Sequence, residues 1–170
     1  LWQATTGSGF QNFSLFVLSQ GRSATFPSRF CTSLSDEWLG QYFSKSYQYI
    51  DPVVNRASQE DGDFLFSELT YSFPMVEEFW KDAEKHKVGR NGFCRASTRP
   101  DGARLAVAFM TSENAHMTRE NIRLNAYDLA AIAELAIECF CCLSSGYVAY
   151  EDELTVQELR FLHMIATSQN

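Results

Sequence analysis

Basic residues are scarce in this 170-residue chain, where 14 Lys and Arg face 21 Asp and Glu for a net charge of −7. Phosphate binding needs a basic face, so this stretch is not itself expected to hold nucleic acid. The three histidines, His86, His116 and His163, lie far apart, and none stands at ligand spacing from a cysteine. That argues against a zinc site, and no metal or cofactor is expected. No apolar run reaches the ~18 residues of a membrane-spanning helix, and no signal peptide is visible. The five cysteines are an odd number, three of them crowded into "ECFCC". They make no disulfide framework, so the expectation is buried packing in a reducing cytoplasm. A glycine-rich phosphate loop, a nucleophile elbow, a zinc-protease motif and a kinase signature are all missing, so the chain is not expected to be an enzyme.

Aromatic residues are plentiful. Hydrophobic residues make up 45% and aromatics 14%, with 14 Phe. This suits a globular domain with a real core, and so many rings exceed ordinary packing needs, which points to a roomy apolar interior. The chain opens on "LWQATTGSGF" without a Met, and the expectation is that it begins inside a longer protein.

Local patterns predict strands at 12–19 and 25–32, then a helix capped by Ser35 with Asp36 and Glu37 in its first turn. A short helix follows Asp51-Pro52, a strand spans 63–67, and a helix runs from Pro74 to about Lys87 with Met75, Val76, Phe79, Trp80 and Ala83 as its apolar stripe. The acids and lysines along that helix, Asp82 among them, read as a solvated face. Strands at 92–98 and 103–112 flank a turn at "RPDG", and a helix from about 117 to 143 places Ile122, Leu124, Leu129, Ile132, Ala133, Ala136, Ile137 and Phe140 on its apolar side. That helix can cover the sheet, serve a dimer, or do both. The order predicts an α+β fold, an α-β-α sandwich around a mainly antiparallel sheet of about five strands. Residues 1–143 form the expected domain, 144–153 a linker, and "LTVQELRFLHMIA" the start of a further helix with a capping box at Thr155 and Glu158.

One segment stands out. "DEWLGQYFSKSYQYIDPVV", residues 36–54, sets a Trp and four Tyr or Phe residues around the acid Asp51. Trp38 and Tyr42 are four apart and share a helix face. Asp51 before Pro52 has a sufficient structural role as a helix N-cap. It also suits a pocket in which a carboxylate accepts from a ligand N–H, and residue chemistry alone favours the cap.

Trp38, Tyr42, Asp51-Pro52, the aromatic helix at 74–87 and Gly92 together resemble the autoinducer-binding domain of LuxR-type quorum-sensing transcription regulators, over residues 7 to 143. "LTVQELRFLHMIA" is similar to the first helix of that family's helix-turn-helix domain, in the expected order. The resemblance implies a pocket for an N-acyl-homoserine lactone between the sheet and one helix layer. Trp38 would donate to the lactone carbonyl and Asp51 would accept from the ligand amide. Tyr42 would line the acyl path, and Phe79 and Trp80 would wall the lactone end. It also implies a homodimer, cytoplasmic location and DNA binding through a C-terminal domain. Three positions depart from the family pattern. Leu34 stands where a Tyr is frequent, Phe66 where a Trp is usual, and Ala108 or Phe109 where a Ser or Thr in the strand near the hairpin often helps bind the acyl carbonyl. The contacts to the lactone and the amide N–H are therefore expected to be kept and those to the acyl carbonyl lost. The other reading is a solo regulator of the same fold that binds a different ligand, or none, and acts through dimerisation.

Overall fold

A computed structural model of the protein describes residues 9–20, 29–70, 73–100, 102–112 and 115–144. Among the described residues, five strands form one fully antiparallel sheet: β1 (Asn12–Gln20), β2 (Arg29–Thr32), β3 (Gly62–Leu65), β4 (Asn91–Thr98) and β5 (Ala103–Thr111), in the order β2-β1-β5-β4-β3. Four α-helices surround it among the described residues: α1 (Asp36–Ser44), α2 (Pro52–Gln59), α3 (Pro74–Lys85) and α4 (Ala115–Ser144). The expected linker and DNA-binding helix, from residue 145 onward, and the first residues of the second expected strand, 25–28, lie outside the described residues.

Local chemistry explains the element ends. The Ser35 side chain accepts from Trp38 N–H and starts α1, and Asp51 accepts from Val53 and Val54 N–H ahead of Pro52 to start α2. At the β4–β5 hairpin Gly102 N–H donates to Arg99 C=O at 2.9 Å, and Gly102 takes a left-handed φ of 83°.

Strand alternation divides the core between the two faces of the sheet. One face sends Phe13, Leu15, Phe93, Val107 and Phe109 against Leu129, Ala133, Ala136 and Ile137 of α4. This layer is filled by large rings, with Phe93 and Phe109 stacked at 6.2 Å. The opposite face carries small residues on the central strands, Cys94, Ala96, Ala106 and Ala108, and meets α1, α2 and α3. Small side chains there leave space that the helices' aromatic rings surround without filling.

Some expectations shift in detail. The strand read at 63–67 ends at Leu65, and Phe66–Glu68 turn as a 3-10 segment that points Phe66 inward. Leu124 is 69% exposed, because it lies two residues and so roughly 200° around the helix from Ile122. Asn125 also interrupts α4 with non-helical angles. Met75 is 61% exposed at the margin of the α3 stripe, while Val76, Phe79, Trp80 and Ala83 are buried. Asp82, read as a solvated acid, is buried instead. Among the described residues, no helix is long and apolar enough to cross a membrane, and no group of three or more His, Cys, Asp or Glu could hold a metal ion.

Candidate functional site

The sheet face of small residues and the helices α1 to α3 enclose a cavity of about 750 Å3, open solvent at its mouth included. All seven residues singled out in the sequence, Trp38, Tyr42, Asp51, Phe66, Phe79, Trp80 and Ala108, line it together. Helix α1 brings Trp38 and Tyr42, the start of α2 brings Asp51, and α3 brings Phe79 and Trp80. The rings form a connected wall: Trp38 meets Tyr42 at 5.8 Å and Phe79 at 6.0 Å, Phe79 meets Trp80 at 4.8 Å, and Phe66 meets Trp80 at 6.0 Å. Such tilted and edge contacts suit aromatic quadrupoles and hold the wall in shape.

Asp51 is the acid of this cavity, and both roles open to it are present in its geometry. Its Oδ1 accepts from Val53 N–H at 2.8 Å and Val54 N–H at 3.3 Å, which caps α2. Its Oδ2 accepts from the Tyr42 hydroxyl at 2.9 Å. Burial pushes the Asp51 carboxyl up from 3.8 to about 6, against the lowering effect of the Tyr42 and backbone hydrogen bonds. Burial also raises the Tyr42 hydroxyl, and the neighbouring Asp51 charge adds to it, so Tyr42 keeps its proton and stays the donor. A carboxylate accepts more than two hydrogen bonds, so Oδ2 retains capacity for a ligand donor.

The sequence reading missed two polar residues of the cavity, Ser14 and Thr32. They stand in one row across the sheet, where Thr32 pairs with Ser14, Ser14 with Ala108, and Ala108 with Cys94. The hydroxyl absent at position 108 is thus present on the adjoining strand. Alternation along "NFSLFVLS" puts Ser14 opposite Phe13 and Leu15, but no local signal sets it beside Ala108. Leu34, the third departure, also lines the cavity and leaves that wall apolar. Phe30 and Phe43, both exposed, line it too and touch at 5.8 Å, which marks the mouth between β2 and α1.

Asp82 lies outside the cavity and locks its frame. Its carboxylate accepts from Gln41 at 2.6 Å, Lys45 at 2.7 Å, Tyr47 at 2.7 Å and Lys85 at 3.0 Å. The bonds from Lys45, Tyr47 and Lys85 hold its carboxyl well below the usual carboxylate range. The site therefore combines an aromatic cage, one buried carboxylate and a hydroxyl pair. Among the described residues it has no arrangement for metal chemistry.

Known proteins agree with this architecture. No curated protein matches the chain in sequence. A solved structure of the N-acylhomoserine lactone dependent LuxR family transcription factor CepR2 from Burkholderia cenocepacia is 16% identical, with a TM-score of 0.61 over 76% of this chain and 74% of that one. Escherichia coli SdiA is 19% identical, with a TM-score of 0.53 over 74% of this chain and 58% of its own. SdiA in complex with octanoyl-rac-glycerol gives 0.54 at 19% identity, covering 74% of this chain and 56% of that one. This chain thus spans little more than half of SdiA, and at these identities the likeness is one of fold. The family model described as autoinducer binding domain matches residues 2–140. The chain belongs to the autoinducer-binding domain family, the ligand-binding domain of LuxR-type regulators.

Proposed function

We propose that the protein binds an N-acyl-homoserine lactone in the cavity and that this ligand controls a quorum-sensing transcription regulator. The observation that carries the reading is Asp51, a buried carboxylate on the wall of a mainly apolar cavity, with acceptor capacity left after it caps α2 and receives Tyr42. A secondary amide set in an acyl chain matches that wall. Its N–H donates to Asp51, and a charged acceptor makes the stronger bond. Trp38 donates its indole N–H to the lactone carbonyl, Phe79 and Trp80 pack on the ring, Phe66 closes the wall behind Trp80, and the chain runs past Tyr42 and Ala108. CepR2, of like fold, is described as N-acylhomoserine lactone dependent. Ligand binds the folded state and so stabilises it by mass action, shifting the population towards the arrangement competent for DNA. Dimerisation, DNA binding through a C-terminal helix-turn-helix domain and action in the cytoplasm complete the reading.

A second reading keeps the fold and cavity with a different acyl ligand, or none. Leu34, Phe66 and Ala108 favour it, because each lacks the polar group the family pattern carries there. SdiA, also of like fold, is described in complex with octanoyl-rac-glycerol. The two readings separate on expression with and without acyl-homoserine lactones, followed by mass spectrometry of what the purified protein retains. Retained lactone in wild type and its loss in Asp51→Asn supports the first reading. Retention of another acyl compound, or of nothing at saturating lactone, supports the second.

A further inference from the structure

The hydroxyl pair on the sheet wall has a defined hydrogen-bond polarity. Thr32 Oγ1 lies 2.9 Å from the Phe13 carbonyl, 3.2 Å from Leu34 N and 2.7 Å from Ser14 Oγ. A hydroxyl has one proton to give and two lone pairs to receive with. The Phe13 carbonyl can only accept, so it takes the Thr32 proton. Leu34 N–H can only donate, so it fills one lone pair of Thr32. The other is then filled by the Ser14 proton, and Thr32 is saturated. Ser14 has spent its proton, and among the described residues its Oγ makes no other hydrogen bond. Its oxygen therefore faces the cavity as an acceptor only, beside Ala108.

We propose that Ser14 is a specificity-determining residue that selects an acyl ligand carrying a hydroxyl group on its chain, with that hydroxyl donating to Ser14 Oγ. This rests on the reading of the cavity as an acyl-ligand site and adds to it the polarity of the chain. A keto oxygen against Ser14 would set acceptor against acceptor. Relief would require Ser14 to turn its proton from Thr32 to the keto oxygen, giving up the 2.7 Å bond, so the keto member gains one hydrogen bond only by losing another. An unsubstituted chain leaves the Ser14 lone pairs without a partner in an apolar space. One hydrogen bond gained or denied in such a place amounts to about tenfold in affinity.

The test is a binding series with homoserine lactones of one chain length, bearing a hydroxyl, a keto group or neither on the acyl carbons near the amide. Wild type is expected to bind the hydroxylated member about tenfold more tightly than the keto member. In Ser14→Ala the three should bind within about twofold of one another, with the unliganded melting temperature recording that the fold is intact. Thr32→Val removes the acceptor of the Ser14 proton, so Ser14 becomes a donor and the keto member should gain on the hydroxylated one. A wild-type preference for the keto member, equal binding of all three, or a hydroxyl preference that survives Ser14→Ala would each overturn the proposal. Failure of every member to bind wild type would instead remove the lactone reading on which it rests, and that outcome is visible before any variant is made.

Discussion

Asp51 shows how one side chain holds a fold and a ligand site together. Ionising it inside the cavity costs about 3 kcal/mol, the free energy equivalent of moving its carboxyl from 3.8 to about 6. Between those two values the folded chain holds a proton that the unfolded chain has lost, so this group lowers the stability of the unliganded protein as pH rises through that window. Asp51→Asn keeps a good N-cap without the charge. Its unliganded melting temperature at pH 7.5 should equal or exceed that of wild type, and the advantage should shrink towards pH 5. A ligand N–H favours the ionised carboxylate, so binding should weaken as pH falls below about 6. Titrations at pH 7.5 and 5.0 check this, and a pH-independent affinity would remove Asp51 as the acceptor.

Among the elements, α1 and α3 hold the aromatic wall, and Asp82 ties them together. Its four partners come from α1, the turn after it and α3 itself. Asp82→Ala leaves the Tyr47 hydroxyl and the Gln41 amide without their acceptor, and a loss of about 2 kcal/mol is expected. The denaturation midpoint reads it, and ligand affinity should fall as the wall loosens. The bonds that depress the Asp82 carboxyl add stability above its ordinary 3.8, and this is lost as pH falls below that value. On the sheet, Gly92 admits no side chain, since a Cβ there would run into the Phe109 carbonyl and the Phe66 ring. Gly92→Ala should destabilise the β4–β5 pair and displace Phe66 from the cavity. Lower melting temperature together with weaker ligand-dependent stabilisation is the expected result.

At the scale of the molecule, the sandwich was legible because its determinants are local. Ser35 and Asp51 announce helix starts, Pro52 and Pro74 fix first turns, and "RPDG" marks the hairpin. The aromatic half of the site was legible for the same reason, since Trp38 and Tyr42 share a helix face and Asp51 follows within one short loop. What the sequence hid depends on partners distant along the chain. Asp82 looks like any surface acid until Lys45 and Tyr47 are brought to it. Ser14 means nothing for position 108 until the strands are set in register. The cavity itself arises from Cys94, Ala96, Ala106 and Ala108 sharing one face, where small residues in strands read only as packing. The central claim is that Asp51 accepts the amide N–H of a lactone held in this cavity. Its most direct test is the melting-temperature shift that a saturating N-acyl-homoserine lactone produces at pH 7.5 in wild type and in Asp51→Asn. A clear upward shift in wild type that is abolished in Asp51→Asn is predicted. An unchanged shift in the variant would contradict the claim.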